Sequence, residues 1–432
     1  MGALVAERTS TPACAGPAVH VRTLGCKVNR VESEQIASAL LGGGVRLASE
    51  AEASVVIVNT CTVTGEADRK ARKAVRHALG SAAGPVVVVT GCLAALDAEG
   101  LESLGDRVVV EPEREQVAAR VCALLGMPMP SAAVPVRSGD GFRVRAGVKI
   151  EDGCDAFCSY CIVPHARGLP RSVDLRDVVR EVSGLVAAGT VEVVLTGVNI
   201  GRYDSNGVGL AGLLEAVAAT GIRRLRISSI EPLDLTEALL DVFAATDQLC
   251  PHLHVPLQSG SDPVLAAMER GYSSGEYLSR VAMVRERLPG VTLTTDVMAG
   301  FPGERETDAD RTLALVRQVA FARLHVFRYS RREGTPAAAM TAQVSPPDTA
   351  RRAAMLRAED SRLRSAHAAS RRGGEADVLI EEVTATGGEV VAIGTTRDYL
   401  RVSLSGERVS PGDLVRVRLG REQSGVLTSE RL

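Results

Sequence analysis

No stretch of this 432-residue sequence is apolar for long enough to cross a bilayer, a task that takes about 20 consecutive residues. The opening MGALVAERTSTPACAGPAVH breaks any apolar run with acid, arginine and proline. No secretory leader is therefore expected, and the reading is a cytoplasmic protein with no membrane partner. Lysine is scarce, occurring only at Lys27, Lys70, Lys73 and Lys149. Charge of one sign is lacking too: 50 lysines and arginines face 52 acids, for a net −2. Such a balance announces no nucleic-acid partner, so any site of that kind must be a local patch. Internal repeats and low-complexity tracts are missing, and 45% of the residues are hydrophobic, which excludes a fibrous or disordered chain.

What is present divides on pattern. Residues 18–126 alternate strand-like runs (HVRTLG, SVVIVNT, VVVVTG) with helical ones (VESEQIASALL, EADRKARKAVRHAL, EREQVAARVCALL), which predicts a doubly wound parallel sheet. Residues 127–142, rich in Pro, Gly, Ala and Ser, read as a linker. Residues 143–372 carry six further units, with strands near VKIEDG, VEVVLTG, RRLRISS, HLHVPLQ, VTLTTDVMAG and ARLHVFRYS. Six are too few for an eight-stranded barrel but suit a partial, TIM-like (β/α)6 one with ligand sites at the C-terminal ends of its strands. A helical run from Arg351 to Arg372 ends that segment. Residues 373–432 turn to short strands and glycine turns, predicting a small antiparallel β-barrel. The fold class is α/β with a terminal all-β domain.

Nine cysteines, an odd number, in a chain read as cytosolic argue for metal binding or catalysis over disulfides. Three stand within eight residues, GCDAFCSYC, as Cys154, Cys158 and Cys161, directly after the first strand of the predicted barrel. Their C-x3-C-x2-C spacing differs from zinc ribbons and from the four-cysteine ferredoxin run. An iron-sulfur cube held by three thiolates leaves one iron open to a chelating ligand; the alternative is a zinc or structural site with a distant fourth ligand. Cys26, Cys61 and Cys92 each end a strand-like run, at intervals of 35 and 31 residues, about one strand–helix unit. All three thiols thus leave one edge of a parallel sheet, where ligands bind. A second open cluster follows, or else unrelated buried thiols. Cys14 reads as a tail residue, Cys122 and Cys250 as structural thiols.

Other residues stand just past predicted strand ends of the barrel: Gly197 and Asn199, Ser229 and Glu231, Gln258, Asp296 and Gly300. Such positions face a barrel's active site, and glycine admits close backbone approach to a ligand. Each has helix capping as its alternative. Tyr160, beside the third cysteine, reads on its own as a packing residue.

The cysteine loop resembles the signature of the radical S-adenosylmethionine (SAM) superfamily. By that resemblance the amino and carboxylate groups of SAM chelate the open iron, Tyr160 lies near its adenine, and the strand-end residues above line its site. Taken with TLGCKVN, VNTCTVT, VTGCLA and KIEDGCDAFCSYCIVPHARG, the chain is similar to the methylthiotransferase family from Val19 to about Val426. Within it, LGCKVN, the ARG after the cluster loop, TGVNIGRY and FRYS resemble the MtaB branch, which acts on N6-threonylcarbamoyladenosine beside the anticodon of tRNA; His165 stands where a bulky aromatic is expected. The terminal barrel resembles a TRAM domain, an RNA-binding module, although from Glu375 to Leu432 it sets seven arginines against ten acids. Arg397 and Arg401 flank Tyr399, a combination suited to base stacking and phosphate binding. The helix before it has seven arginines against two acids and is expected to help hold phosphate, the alternative being a solvated face.

The resemblance implies two 4Fe-4S clusters and SAM as cofactors. The cluster on Cys154, Cys158 and Cys161 cleaves SAM to a radical, the one on Cys26, Cys61 and Cys92 presents sulfur, and a second SAM supplies the methyl group. It implies a tRNA anticodon stem-loop as substrate, an electron donor such as flavodoxin or ferredoxin, and a monomer. Three other readings stay open: a methylthiotransferase for isopentenyladenosine in tRNA, one for an aspartate of a ribosomal protein, and a non-enzymatic iron-sulfur RNA-binding sensor.

Overall fold

Valine and isoleucine dominate the N-terminal strands on both faces, so these strands must be covered on both sides. A computed structural model, describing residues 16–128, 143–386, 389–406, 408–423 and 425–432, shows how. Strands β1 (Ala18–Thr23), β2 (Arg46–Leu47), β3 (Val55–Thr60), β4 (Val86–Gly91) and β5 (Val108–Val110) form one parallel sheet in the order β2-β1-β3-β4-β5. Val19, Val21, Val55 and Ile57 join one apolar cluster, while Val56, Val58, Val87 and Val89 join another. The sheet is therefore doubly wound, as expected. Its two edge strands span only two and three residues, too short to betray themselves by periodicity.

Six parallel strands follow: β6 (Arg145–Lys149), β7 (Glu192–Thr196), β8 (Arg224–Ile227), β9 (His252–His254), β10 (Thr292–Ala299) and β11 (Arg323–Arg328). They pair as β8-β7-β6 and as β9-β10-β11. Parallel bridges Leu225↔Leu249 and Ser229↔His254 join the two sets, giving the open (β/α)6 arrangement. A single large apolar cluster, from Val148 to Leu363, fills the space between strands and helices.

The helix before the terminal barrel spans Pro346–Arg371 and starts earlier than its sequence pattern. The Pro346–Pro347 pair, which reads as a breaker, sits in its first turn, where no intrahelical amide is needed, behind the Ser345 cap. Strands β12 (Glu375–Thr386), β13 (Glu389–Thr396), β14 (Arg401–Ser405), β15 (Leu414–Gln423) and β16 (Val426–Arg431) close into a barrel in the order β12-β13-β14-β16-β15. No described helix is long and apolar enough to cross a membrane. Cys14 and most of the linker lie outside the described residues.

The chain folds into two compact units. The first takes residues up to Phe142 together with Asp152–Asp155 and Cys161–Leu169; the second takes Arg143–Glu151, Ala156–Tyr160 and everything from Pro170 onward.

Candidate active site and the two cysteine triads

Cys26, Cys61 and Cys92 each follow their strand, β1, β3 and β4, at the carboxyl edge of the first sheet. With the order β2-β1-β3, the sheet reverses direction between β1 and β3, the place where such folds leave a crevice for ligands. Gly25 lets the two loops touch there. Its φ is +97°, and a Cβ on it would lie 2.7 Å from the Cys61 sulfur, so only glycine fits. Asn29 then ties the loops together, its Nδ2 donating to Leu24 O at 3.0 Å and to Thr60 O at 2.7 Å. Its Oδ1 accepts from the Cys26 thiol at 3.5 Å.

Beside this triad lies Arg167, with a side chain only 2% exposed. Its Nε donates to Cys92 Sγ at 3.2 Å, Nη1 to Glu32 at 2.8 Å and to Asp152 at 2.7 Å, and Nη2 to Asn29 Oδ1 at 2.7 Å. Burial disfavours its charge, but the Cys92 sulfur, Glu32 and Asp152 outweigh that and hold the guanidinium ionised. Burial pushes the Cys61 thiol up to about 11, so as a free side chain it keeps its proton, and a metal must take that proton's place. Three sulfurs on adjacent strand ends and a buried cation are the donor set and counter-charge that an anionic thiolate cluster asks for. The fit holds.

The second triad follows the short strand Glu151–Asp152. Gly153 has φ +92°, and a Cβ on it would lie 2.2 Å from Leu169 O, so the loop can close only over glycine. Cys154 N donates to Gly168 O at 3.0 Å, drawing the two ends of the motif together. At its middle, Ser159 donates through N to Met268 O at 3.0 Å and through Oγ to Ala267 O at 2.7 Å. Cys158 is buried, Cys154 and Cys161 half-buried. Arg270 Nη1 donates to Cys158 Sγ at 3.2 Å, its Nε to Tyr272 Oη at 3.2 Å, and its Nη2 pairs with Glu231. Cys158 too thus carries a buried guanidinium on its sulfur. Arg167 and Asn29 lie in the motifs ARG and LGCKVN without a role having been read for them, and nothing in the sequence flagged Arg270.

The other expected residues vary in place and role: Asp296 lies inside β10 instead of past its end, Tyr160 lies in the cysteine loop, and the rest follow strand ends. Tyr160 packs edge-on against Phe301, centroids 6.4 Å apart. Gly197 admits protein, since a Cβ would meet Glu151 Oε2 at 2.7 Å; that carboxylate accepts from Val198 N and Asn199 N at 2.9 and 2.8 Å. Gly300 is likewise filled by Thr349. For these two glycines the close approach is by side chains of the chain itself. Glu231 is committed to Arg270. Gln258, at φ +63°, bridges to β10 through its backbone, its N to Asp296 O at 2.9 Å. Ser229 sits at the bridge to His254, and Asn199 is buried just after β7.

Asp296 has the most distinctive surroundings. Its Oδ1 lies 3.1 Å from His254 Nε2 and 3.2 Å from His325 Nδ1, the ligand atoms of all three falling within 4.8 Å of one another. Burial would raise this carboxyl, but the two imidazoles win and hold it well below the usual carboxylate range. Behind them Thr294 Oγ1 lies 2.9 Å from His254 Nδ1 and 3.0 Å from His252 Nε2.

Arg397 and Tyr399, expected at an RNA surface, have partners within the second unit. The Tyr399 ring stacks on His252 at 4.5 Å, with the guanidiniums of Arg226 and Arg145 at 5.1 and 5.4 Å from its centroid, so both faces are occupied within the second unit. Arg397 donates to Asp247 O and, at 2.9 Å, to Leu249 O. Arg401 is exposed. The preceding helix spends its arginines similarly: Arg351, Arg352, Arg362, Arg364 and Arg371 all form ion pairs with acids of this chain.

Comparison with known proteins adds to this geometry. The Radical SAM superfamily model matches residues 148–316, and that of uncharacterized protein family UPF0004 matches residues 18–110. The chain is 35% identical to the threonylcarbamoyladenosine tRNA methylthiotransferase MtaB of Bacillus subtilis over 93% of each chain. It is 34% identical to the enzyme of that name from Thermotoga maritima, over 93% of this chain and 94% of that one. A tRNA-2-methylthio-N(6)-dimethylallyladenosine synthase from Moorella thermoacetica is also 34% identical, over 94% and 97%. Among solved structures, the radical SAM methyltransferase TsrM of Kitasatospora setae shares the fold with a TM-score of 0.55, at 16% identity, over 75% of this chain and 77% of that one.

Proposed function

This chain belongs to the radical SAM methylthiotransferase family, whose members carry 4Fe-4S clusters and use SAM, and from that premise we propose that it replaces the C2 hydrogen of N6-threonylcarbamoyladenosine, next to the anticodon of tRNA, by a methylthio group. The observation that carries the proposal is the pairing of two cysteine triads, each at the carboxyl edge of a parallel sheet and each with its own buried arginine. In this reading Cys154, Cys158 and Cys161 hold one cluster and leave an iron for SAM, while Cys26, Cys61 and Cys92 hold the other. When bound, the clusters and SAM supply the radical, the sulfur and the methyl group. The chain holds the sulfurs in place and keeps water from the buried sulfurs of Cys61, Cys92 and Cys158. It also orients the reactants, with Asn199, Ser229 and Gln258 at the strand ends as SAM contacts and the exposed Arg401 as an RNA contact. Electrons come from an outside donor of the flavodoxin or ferredoxin kind.

The choice of base rests on polarity. A threonylcarbamoyl group brings a carboxylate, a hydroxyl and a urea to the barrel, and His254, Asp296 and His325 offer polar partners on its last three strands. An isopentenyl tail has neither donor nor acceptor to offer those groups. Relatives named for dimethylallyladenosine keep isopentenyl transfer as the second reading. Mass spectrometry of tRNA nucleosides from a strain lacking this gene decides. Loss of the methylthio form of threonylcarbamoyladenosine is expected; its persistence beside loss of methylthio-isopentenyladenosine would overturn the proposal.

A further inference from the structure

We propose that Arg270 and Arg167 are positioning residues that set the reduction potentials of the two clusters separately, each by donating an N–H to one ligand sulfur while a carboxylate trims its charge. The inference rests on the reading that the triads hold clusters, and it goes further in naming what tunes them.

The contacts are matched. Arg270 Nη1 lies 3.2 Å from Cys158 Sγ, and Arg167 Nε lies 3.2 Å from Cys92 Sγ. Neither guanidinium can swing away. Arg270 is also held by Tyr272 and Glu231 with 5% of its side chain exposed, and Arg167 by Glu32, Asp152 and Asn29 with 2% exposed. A guanidinium carries its charge at any working pH and donates only. Hydrogen bonds to cluster sulfurs and nearby positive charge favour the electron-rich, reduced cluster, and so raise its potential. Where water is excluded the effect is larger, because the effective dielectric constant falls.

The acids make the settings differ. Arg270 faces one carboxylate, Glu231, whereas Arg167 faces two, Glu32 and Asp152, and Glu32 is shared with Arg114 at 3.3 Å. Arg114 Nη2 also points at Cys92 Sγ from 3.8 Å. Each triad thus has its own set: Arg270 against Glu231 at Cys158, and Arg167, with Arg114 farther off, against Glu32 and Asp152 at Cys92. One can be adjusted without the other.

The test uses the full chain, reconstituted anaerobically with iron and sulfide, in a Cys26→Ala, Cys61→Ala, Cys92→Ala background so that only the cluster on Cys154, Cys158 and Cys161 gives a signal. Its midpoint potential is read by redox titration followed by electron paramagnetic resonance. Arg270→Gln removes the donor charge and leaves Glu231, so the potential moves negative. Glu231→Gln removes the opposing charge, so it moves positive. The double variant, neutral like the native pair, returns towards the starting value and covers the case in which a lone buried charge prevents folding. In the unsubstituted background Arg167→Lys, which keeps charge but loses the fork, shifts only the signal of the cluster on Cys26, Cys61 and Cys92.

A purely structural role would lower cluster content without shifts of opposite sign. Unmoved potentials at full cluster content, or shifts of one sign in both single variants, overturn this inference and leave the proposed function standing. A native chain that takes up no cube on Cys154, Cys158 and Cys161 overturns both.

Discussion

A thiol such as that of Cys61, buried and pushed up to about 11, is a poor nucleophile and a poor redox sensor, because both tasks need a ready thiolate. It makes sense as a ligand that loses its proton only to a metal. Cys158 is just as buried yet has a guanidinium on its sulfur. The two residues therefore predict separable defects. Cys158→Ala should abolish formation of 5′-deoxyadenosine from SAM, whereas Cys61→Ala should leave it within about two-fold of the parent and stop sulfur transfer, since in the proposed reading it is the triad of Cys154, Cys158 and Cys161 that leaves an iron to SAM. Product analysis of the reduced proteins reads both activities at once, and equal loss of both in a folded Cys61→Ala protein would refute the division. At this scale the sequence was half legible. Cysteine is rare enough that its spacing speaks. A buried arginine reads like any surface arginine until its partners are known, and Arg270 finds Cys158 from 112 residues away, Arg167 finds Glu32 from 135.

Elements were legible where their residues repeat a pattern. The six barrel strands appear as apolar runs bounded by turns, while β2 and β5 are too short to do so. Capping was legible only in part. Asp308, third in the helix Glu306–Val319, is 1% exposed and accepts from Arg305 N at 2.9 Å and from Ser261 Oγ at 2.7 Å. Burial opposes its charge, but these donors, with the Arg305 side chain, bring its carboxyl down to about 2. A carboxyl whose value is lower in the folded than in the unfolded chain stabilises above the unfolded value, about 4, and that contribution fades as pH falls towards 2. Asp308→Asn should cost about 1–2 kcal/mol at neutral pH and much less near pH 2. Denaturant unfolding at both pH values, with the helix followed by hydrogen exchange, checks the sign.

Across the second unit, the terminal barrel is held by buried polar contacts as well as by apolar ones. Arg224 reaches Thr395 O at 3.2 Å and also Asp377 O; Arg226 reaches Arg397 O at 3.1 Å while pairing with Glu192 at 3.0 Å. Tyr399 lies between Arg226, Arg145 and His252. The motif around Tyr399 suggested an RNA platform because stacking aromatics and arginines look alike whether the other face is a base or a histidine. Tyr399→Ala should weaken the attachment by about 2 kcal/mol through lost stacking and cation–π contacts. Limited proteolysis should then cut faster between Arg371 and Gly374, releasing the barrel; an unchanged cleavage rate would show that the arginines alone suffice.

The make-up of the first unit bears on how this molecule is divided in the laboratory. A fragment ended at Phe142 looks self-sufficient, with a whole sheet and three thiols, yet it leaves behind Asp152 and Arg167. Glu32 would then lose the cation that reaches it from 135 residues downstream, and Cys92 the nearer of its two donors. Split-gene expression at the apparent seam is thus a route to an insoluble or cluster-poor half, and a graft of this triad onto another scaffold must bring the ARG tripeptide along.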